Sequence, residues 1–190
     1  ISSDVSIGRG ENGENVYYTQ PTPGSANTTA AFSDPMSAAG FDPNYVYISE
    51  TCSVNEPRSG LLDWVELYNG SGETITLTNW HISDDKNDFF VFDLSGITIP
   101  AGGYAVIPCS SSILDAAPNV APFSISPAGE TIYLTDGNGY VIDAFFTGTN
   151  KLGVTSGRLM GKPERVYFET ATKGAKNPDT CYLSYAAAPS

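Results

Sequence analysis

Apolar and polar residues alternate with period two through the middle of the chain, the repeat of a strand with one buried face. Val46 and Ile48 alternate with Tyr45 and Tyr47, and Val65 and Leu67 with Trp64, Glu66 and Tyr68. Ile75 and Leu77 follow, then Trp80 and Ile82. Further strand-like runs cover residues 89–92, 104–107, 123–126, 131–134 and 140–146. Turn formers separate them: Asn69-Gly70, Ala101-Gly102-Gly103, Ala128-Gly129 and Asp136-Gly137-Asn138-Gly139. The last of these predicts a hairpin. No window sustains apolar residues at helical spacing, and only residues 110–117 suggest a short helical turn. About eight or nine short strands with such punctuation predict an all-β fold, an antiparallel β-sandwich.

The flanks read differently. Residues 22–43 are rich in Pro, Gly, Ser, Thr and Ala, the composition of a linker. Near the start stand Gly8-Arg9, Val16-Tyr17-Tyr18 and Thr22-Pro23-Gly24-Ser25-Ala26-Asn27. Near the end stand Gly157-Arg158, Val166-Tyr167-Phe168 and Thr172-Lys173-Gly174-Ala175-Lys176-Asn177. The offset is 149 at the Gly-Arg pair and 150 afterwards, so the copies match with one inserted residue. A repeating module of about 150 residues that ends in this signature explains both copies. The expected organisation is a closing segment of a preceding module (1–29), a linker (30–43), a sandwich domain (44–177) and a C-terminal tail (178–190).

Composition narrows the chemistry. The 190 residues carry 9 Lys+Arg against 21 Asp+Glu, a net charge of −12, with 1 His and 3 Cys. A surface this acidic repels phosphate, which argues against nucleic-acid partners. A single histidine excludes zinc sites built on paired His. No apolar run approaches the about 18 residues that span a bilayer, so direct membrane insertion is not expected. The charge is uneven: residues 1–150 hold Arg9, Arg58 and Lys86 against 18 acids, whereas residues 151–177 hold six cations against Glu164 and Glu169. A basic closing segment beside an acidic body is suited to dock on that body or on the next module's, either contact being salt-sensitive; the alternative is a solvated segment whose charge is incidental. Cys52, Cys109 and Cys181 form no C-x-x-C motif. Cys52 and Cys109 both end strand-like runs, and either a disulfide or two buried thiols fits them.

Candidate sites are few. With Val65 and Leu67 facing the core, Trp64, Glu66 and Tyr68 share the opposite face, an aromatic stripe with a carboxylate suited to protein or sugar contact. Their alternative role is cross-strand cover. Trp80 and Ile82 point inward and His81 outward. Asp84, Asp85 and Asp88, with Asn87, are the densest acidic cluster and a candidate for Ca²⁺, but they lack the Gly and distal Glu of an EF-hand loop; Asp136 and Asn138 in the hairpin turn are read in the same way. Asp and Asn at such spacing also build turns unaided. No metal or other cofactor is otherwise expected.

Several segments together carry a resemblance. Asp63-Trp64-Val65-Glu66-Leu67-Tyr68-Asn69, Leu77-Thr78-Asn79-Trp80-His81-Ile82-Ser83-Asp84-Asp85, Ile99-Pro100-Ala101-Gly102-Gly103-Tyr104 and 123–130 followed by Leu134-Thr135-Asp136 resemble, in order, the hallmarks of the bacterial lamin tail domain. The Gly-Arg…Thr-x-Gly-x-x-Asn ending resembles the segment that closes such modules. The likeness covers residues 45–177. It implies an immunoglobulin-like β-sandwich without catalysis or cofactor. It also implies a secreted or cell-surface bacterial protein of several domains, including those of the CotH type. The expected role is interaction, adhesion or spacing, with other protein domains, neighbouring modules or surface glycans as partners. A carbohydrate-binding module using the exposed aromatics is the alternative, and an enzyme the least favoured reading.

Overall fold

The computed structural model describes residues 6–9, 15–18, 22–26, 31–32, 41–53 and 61–189. Strands β1 (Ser6–Arg9), β2 (Asn15–Tyr18) and β3 (Ala31–Phe32) form a small antiparallel sheet in that order. The body begins with β4 (Val46–Cys52) and β5 (Asp63–Asn69). It continues through β6 (Ile75–Thr76), β7 (His81–Ser83), β8 (Phe92–Asp93), β9 (Thr98–Ile99) and β10 (Tyr104–Cys109). After a 3-10 turn at Ile113–Asp115 come β11 (Thr131–Thr135), β12 (Val141–Phe146), β13 (Thr155–Arg158) and β14 (Arg165–Phe168).

One layer is the five-stranded sheet β10-β5-β4-β13-β14, and the other is the four-stranded sheet β12-β11-β7-β8. All their pairings are antiparallel. Ile48, Val65, Leu67 and Ile107 from the first layer meet Ile82, Ile132, Leu134 and Phe145 from the second in one apolar core, joined by Leu77, Trp80, Leu94 and Ile99. This is an antiparallel β-sandwich, as the alternation predicts, and of the immunoglobulin-like kind that the resemblance implies. Trp80 and Ile82 are buried, whereas His81 is half-buried, its ring edge-on to Phe90 at 5.0 Å. The predicted hairpin joins β11 to β12, where Asp136 accepts from the Asn138 and Tyr140 amides and Gly139 takes φ +80°.

The strands differ from expectation where side chains take over backbone partners. Residues 123–126 keep alternating burial but form no strand. There the Ile125 amide donates to Asp63 Oδ2 (2.7 Å) and its carbonyl accepts from Ser53 Oγ (2.8 Å). Of residues 89–92 only Phe92 is in a strand, because Asp88 Oδ1 accepts from the Phe90 amide and turns the chain. The two-residue strand β9 is too short to register as alternation.

All three cysteines are free thiols. Cys52 pairs with Trp64 on one side of β5 and Cys109 with Asp63 on the other, so the two thiols lie two strand spacings apart on opposite faces. That separation, about 9.5 Å, exceeds what a disulfide spans.

Candidate functional site

The chemistry of the chain is concentrated on β4 and the segments that cover it. In the β4–β5 ladder Tyr47 faces Tyr68, Ile48 faces Leu67, Glu50 faces Glu66 and Cys52 faces Trp64. Ser49 has no opposite number: it is the extra residue of a β-bulge. Strict alternation from Val46 and Ile48 would send Glu50 into the apolar core. The bulge moves it to the outer face, beside Glu66.

Both carboxylates are fully buried, and the cover is the segment after β14. Glu50 accepts from the Thr155 hydroxyl, from the Thr172 amide (3.2 Å) and from Thr172 Oγ1 (3.1 Å). Glu66 accepts from Ser49 Oγ (2.7 Å) and the Gly174 amide (2.5 Å). Gly174, at φ +82°, forms a turn in which the Ala175 amide donates to the Thr172 carbonyl at 2.8 Å. Lys173 lies over the Trp64 ring, 5.5 Å from its centroid. Asn177 Nδ2 donates to the Ser49 carbonyl at the bulge (3.0 Å) and to the Arg158 carbonyl (2.9 Å). Burial raises both glutamates, with the neighbouring Glu50 charge adding at Glu66, whose pKa is pushed up to about 7.

Gly157 and Arg158 hold β13 against β4. A Cβ on Gly157 would stand 2.5 Å from the Ser49 carbonyl oxygen, so only glycine lets the strands meet there. Arg158, next along, turns into the sandwich. Its guanidinium makes a two-pronged ion pair with Asp143 of β12 (2.5 and 2.9 Å) and donates to the Ile48 and Pro163 carbonyls. Phe41 and Phe145 approach it at 4.7 and 4.8 Å. Asp143 also accepts from the Ile48 amide (2.7 Å), so one carboxylate ties β12, β4 and β13 together.

The expectation of an exposed Trp64–Glu66–Tyr68 stripe is corrected. Trp64 is 5% exposed, Glu66 fully buried and Tyr68 half-buried, because residues 172–177 lie across this face. Phe41, Tyr68 and Tyr104 stay partly open in a row of rings that runs through buried Tyr47: Phe41–Tyr47, Tyr47–Tyr68 and Tyr68–Tyr104 have centroids 4.9, 5.4 and 4.9 Å apart. Asp84, Asp85 and Asp88 stand in one turn. Asp85 Oδ1 accepts from the Asn87 amide and side chain, and Asp88 Oδ1 from the Phe90 amide. Among the described residues no three His, Cys, Asp or Glu side chains converge as a metal site.

The basic segment docks on its own acidic body, one of the two contacts expected of it. Of its six cations, Arg158 makes a buried ion pair, Lys176 pairs with exposed Asp179, and Lys151 and Arg165 donate to the Ala188 and Phe146 carbonyls. Glu50 and Asp143 are not among the residues that spacing singles out. The signals were present: a lone acid in the apolar run Val141-Ile142-Asp143-Ala144-Phe145-Phe146, and an alternation broken at Ser49-Glu50.

Fold and site together define an immunoglobulin-like module whose buried charges hold its last strands in place. The model of the lamin tail domain family matches residues 41–149, more than half of the chain, and the chain belongs to that family. Lamin tail domains are interaction modules of immunoglobulin type and are not generally catalytic. No curated protein matches the chain. The family match stops before β13, yet β13 lies between β4 and β14 within the five-stranded sheet.

Proposed function

We propose that the chain is a non-catalytic spacer or adhesion module of a multidomain secreted or cell-surface bacterial protein. One observation carries this reading. Glu50, Glu66, Asp143 and Arg158, the buried charges of the site, all bond to other segments of the same chain and hold the sandwich shut. Groups used in this way resist unfolding rather than act on a substrate. No helix of the described residues is long and apolar enough to cross a membrane. The test is antibody labelling of intact source cells alongside a panel of ester, glycan and phosphate substrates. Surface labelling without turnover is expected. Turnover that disappears on mutating a single acid overturns the proposal.

A second reading, glycan contact, draws on the half-buried Tyr68 and Tyr104, whose rings tilt by 48° side by side. Aromatic faces of this kind stack on sugars. Binding on a glycan array that is lost in Tyr104→Ala, with the melting temperature unchanged, would favour it over the first.

A further inference from the structure

The described residues between 6 and 32 match residues 155–182 in their strand pairing and turn. In the first hairpin Ser6 faces Tyr18, Ile7 faces Tyr17, Gly8 faces Val16 and Arg9 faces Asn15. In the second, Thr155 faces Phe168, Ser156 faces Tyr167, Gly157 faces Val166 and Arg158 faces Arg165. The one-residue difference in offset falls in the hairpin loop, between Arg9 and Asn15. The turn recurs as well: the Ser25 amide donates to the Thr22 carbonyl (3.1 Å) with Gly24 at φ +74°, as Ala175 does to Thr172 with Gly174 at φ +82°. So does the next pairing, as a strand in the first copy and an isolated bridge in the second. Tyr17 pairs with Phe32, and 150 residues later Tyr167 bridges to Tyr182. The repeated unit therefore runs past residue 29, into what composition alone marks as linker.

The copies differ in their surroundings. All of β13 is buried, with β4 along one edge. Among the described residues β1 pairs with β2 alone and stands at the edge of its sheet, and Ile7 is 51% exposed. An edge strand offers a row of backbone donors and acceptors to another strand.

We infer that residues 6–32 are the closing unit of another lamin tail body, and that β1 adds to that body's counterpart of β4 as β13 adds to β4 here. The receiving body precedes this one in the same polypeptide. The body of this chain is already closed by residues 155–182, and in that arrangement the closing unit follows its body along the chain. The match fixes the partner's chemistry. It presents a buried carboxylate in the place of Asp143 to meet Arg9, and a bulged carbonyl in the place of Ser49 that only glycine, here Gly8, lets approach. Ser156 shares a hydroxyl–hydroxyl bond of 2.8 Å with Thr51, and Ile7 stands where Ser156 does. The receiving strand therefore carries an apolar residue at the position of Thr51.

The inference deepens the spacer reading and rests on it: modules so joined share no free linker between body and seal. It is tested by replacing residues 155–182 of the full chain with a second copy of residues 6–32. The graft is expected to melt in one cooperative transition. Thr51→Val should raise the melting temperature of the graft and lower that of the native chain. Arg9→Ala in the grafted copy should lower it by on the order of 10 °C, as loss of a buried ion-pair partner does. A graft without a cooperative transition, with or without Thr51→Val, overturns the inference, and so does a graft indifferent to Arg9→Ala. Sedimentation of the native chain should show a monomer. A dimer that disappears on deleting residues 6–32 would make the occupant a second copy and overturn the tandem assignment. None of these failures touches the surface-labelling test of the spacer reading.

Discussion

Arg158 shows how much one side chain can hold. It is among the largest fully buried residues, and its charge is met by Asp143 and two carbonyls. Arg158→Ala leaves the buried Asp143 carboxyl without its ion-pair partner, a loss of about 3–5 kcal/mol. Arg158→Lys should recover only part of it, since an ammonium cannot form both prongs of the pair or lie flat between Phe41 and Phe145. Denaturant titration of the two variants checks the order. The sequence displayed Arg158 and Asn177 as parts of a repeat but not their partners. Asp143 lies 15 residues from Arg158, and the Ser49 carbonyl lies 128 residues from Asn177. Neither separation has a local pattern, so only the fold brings these groups together. Trp64 misled for a related reason: alternation gave its face correctly but not the loop that covers that face.

At the scale of elements, the closing segment is held by two carboxylates that burial makes reluctant to ionise. In the folded chain Glu66 keeps its proton up to about pH 7, whereas its ordinary value is 4.5. Between those values the folded state binds more protons than the unfolded state, so stability falls as pH rises. The glutamate contribution is fully present below pH 4.5 and lost as pH passes through about 7; Glu50 is shifted in the same direction. The melting temperature should thus decline from about pH 5 to pH 8, and Glu66→Gln should flatten that decline. A profile that rises over this range in the native chain would contradict the assignment. The long strands β4, β5, β10, β11 and β12 were legible because each buries one face against the core. β13 and β14 were visible only as a repeat. Thr155-Ser156-Gly157-Arg158 has no apolar alternation, and its stability comes from Glu50, Asp143 and Asn177.

For the whole molecule, the folded unit is larger than the family match. A chain ending at residue 149 retains the matched region yet lacks β13, the neighbour of β4, and leaves Glu50, Glu66 and Asp143 without their donors from residues 155–174. It should show no cooperative thermal transition, whereas a chain ending at residue 182 should; calorimetry distinguishes the two. The position of β13 also bears on synthesis. A ribosome delivers most of the two layers first and β13, β14 and the covering segment last, so the nascent body waits with its acids uncovered until about 30 further residues emerge. Translation speed through that stretch, rather than collapse of the layers, then sets how long an unfinished module is open to aggregation or proteolysis.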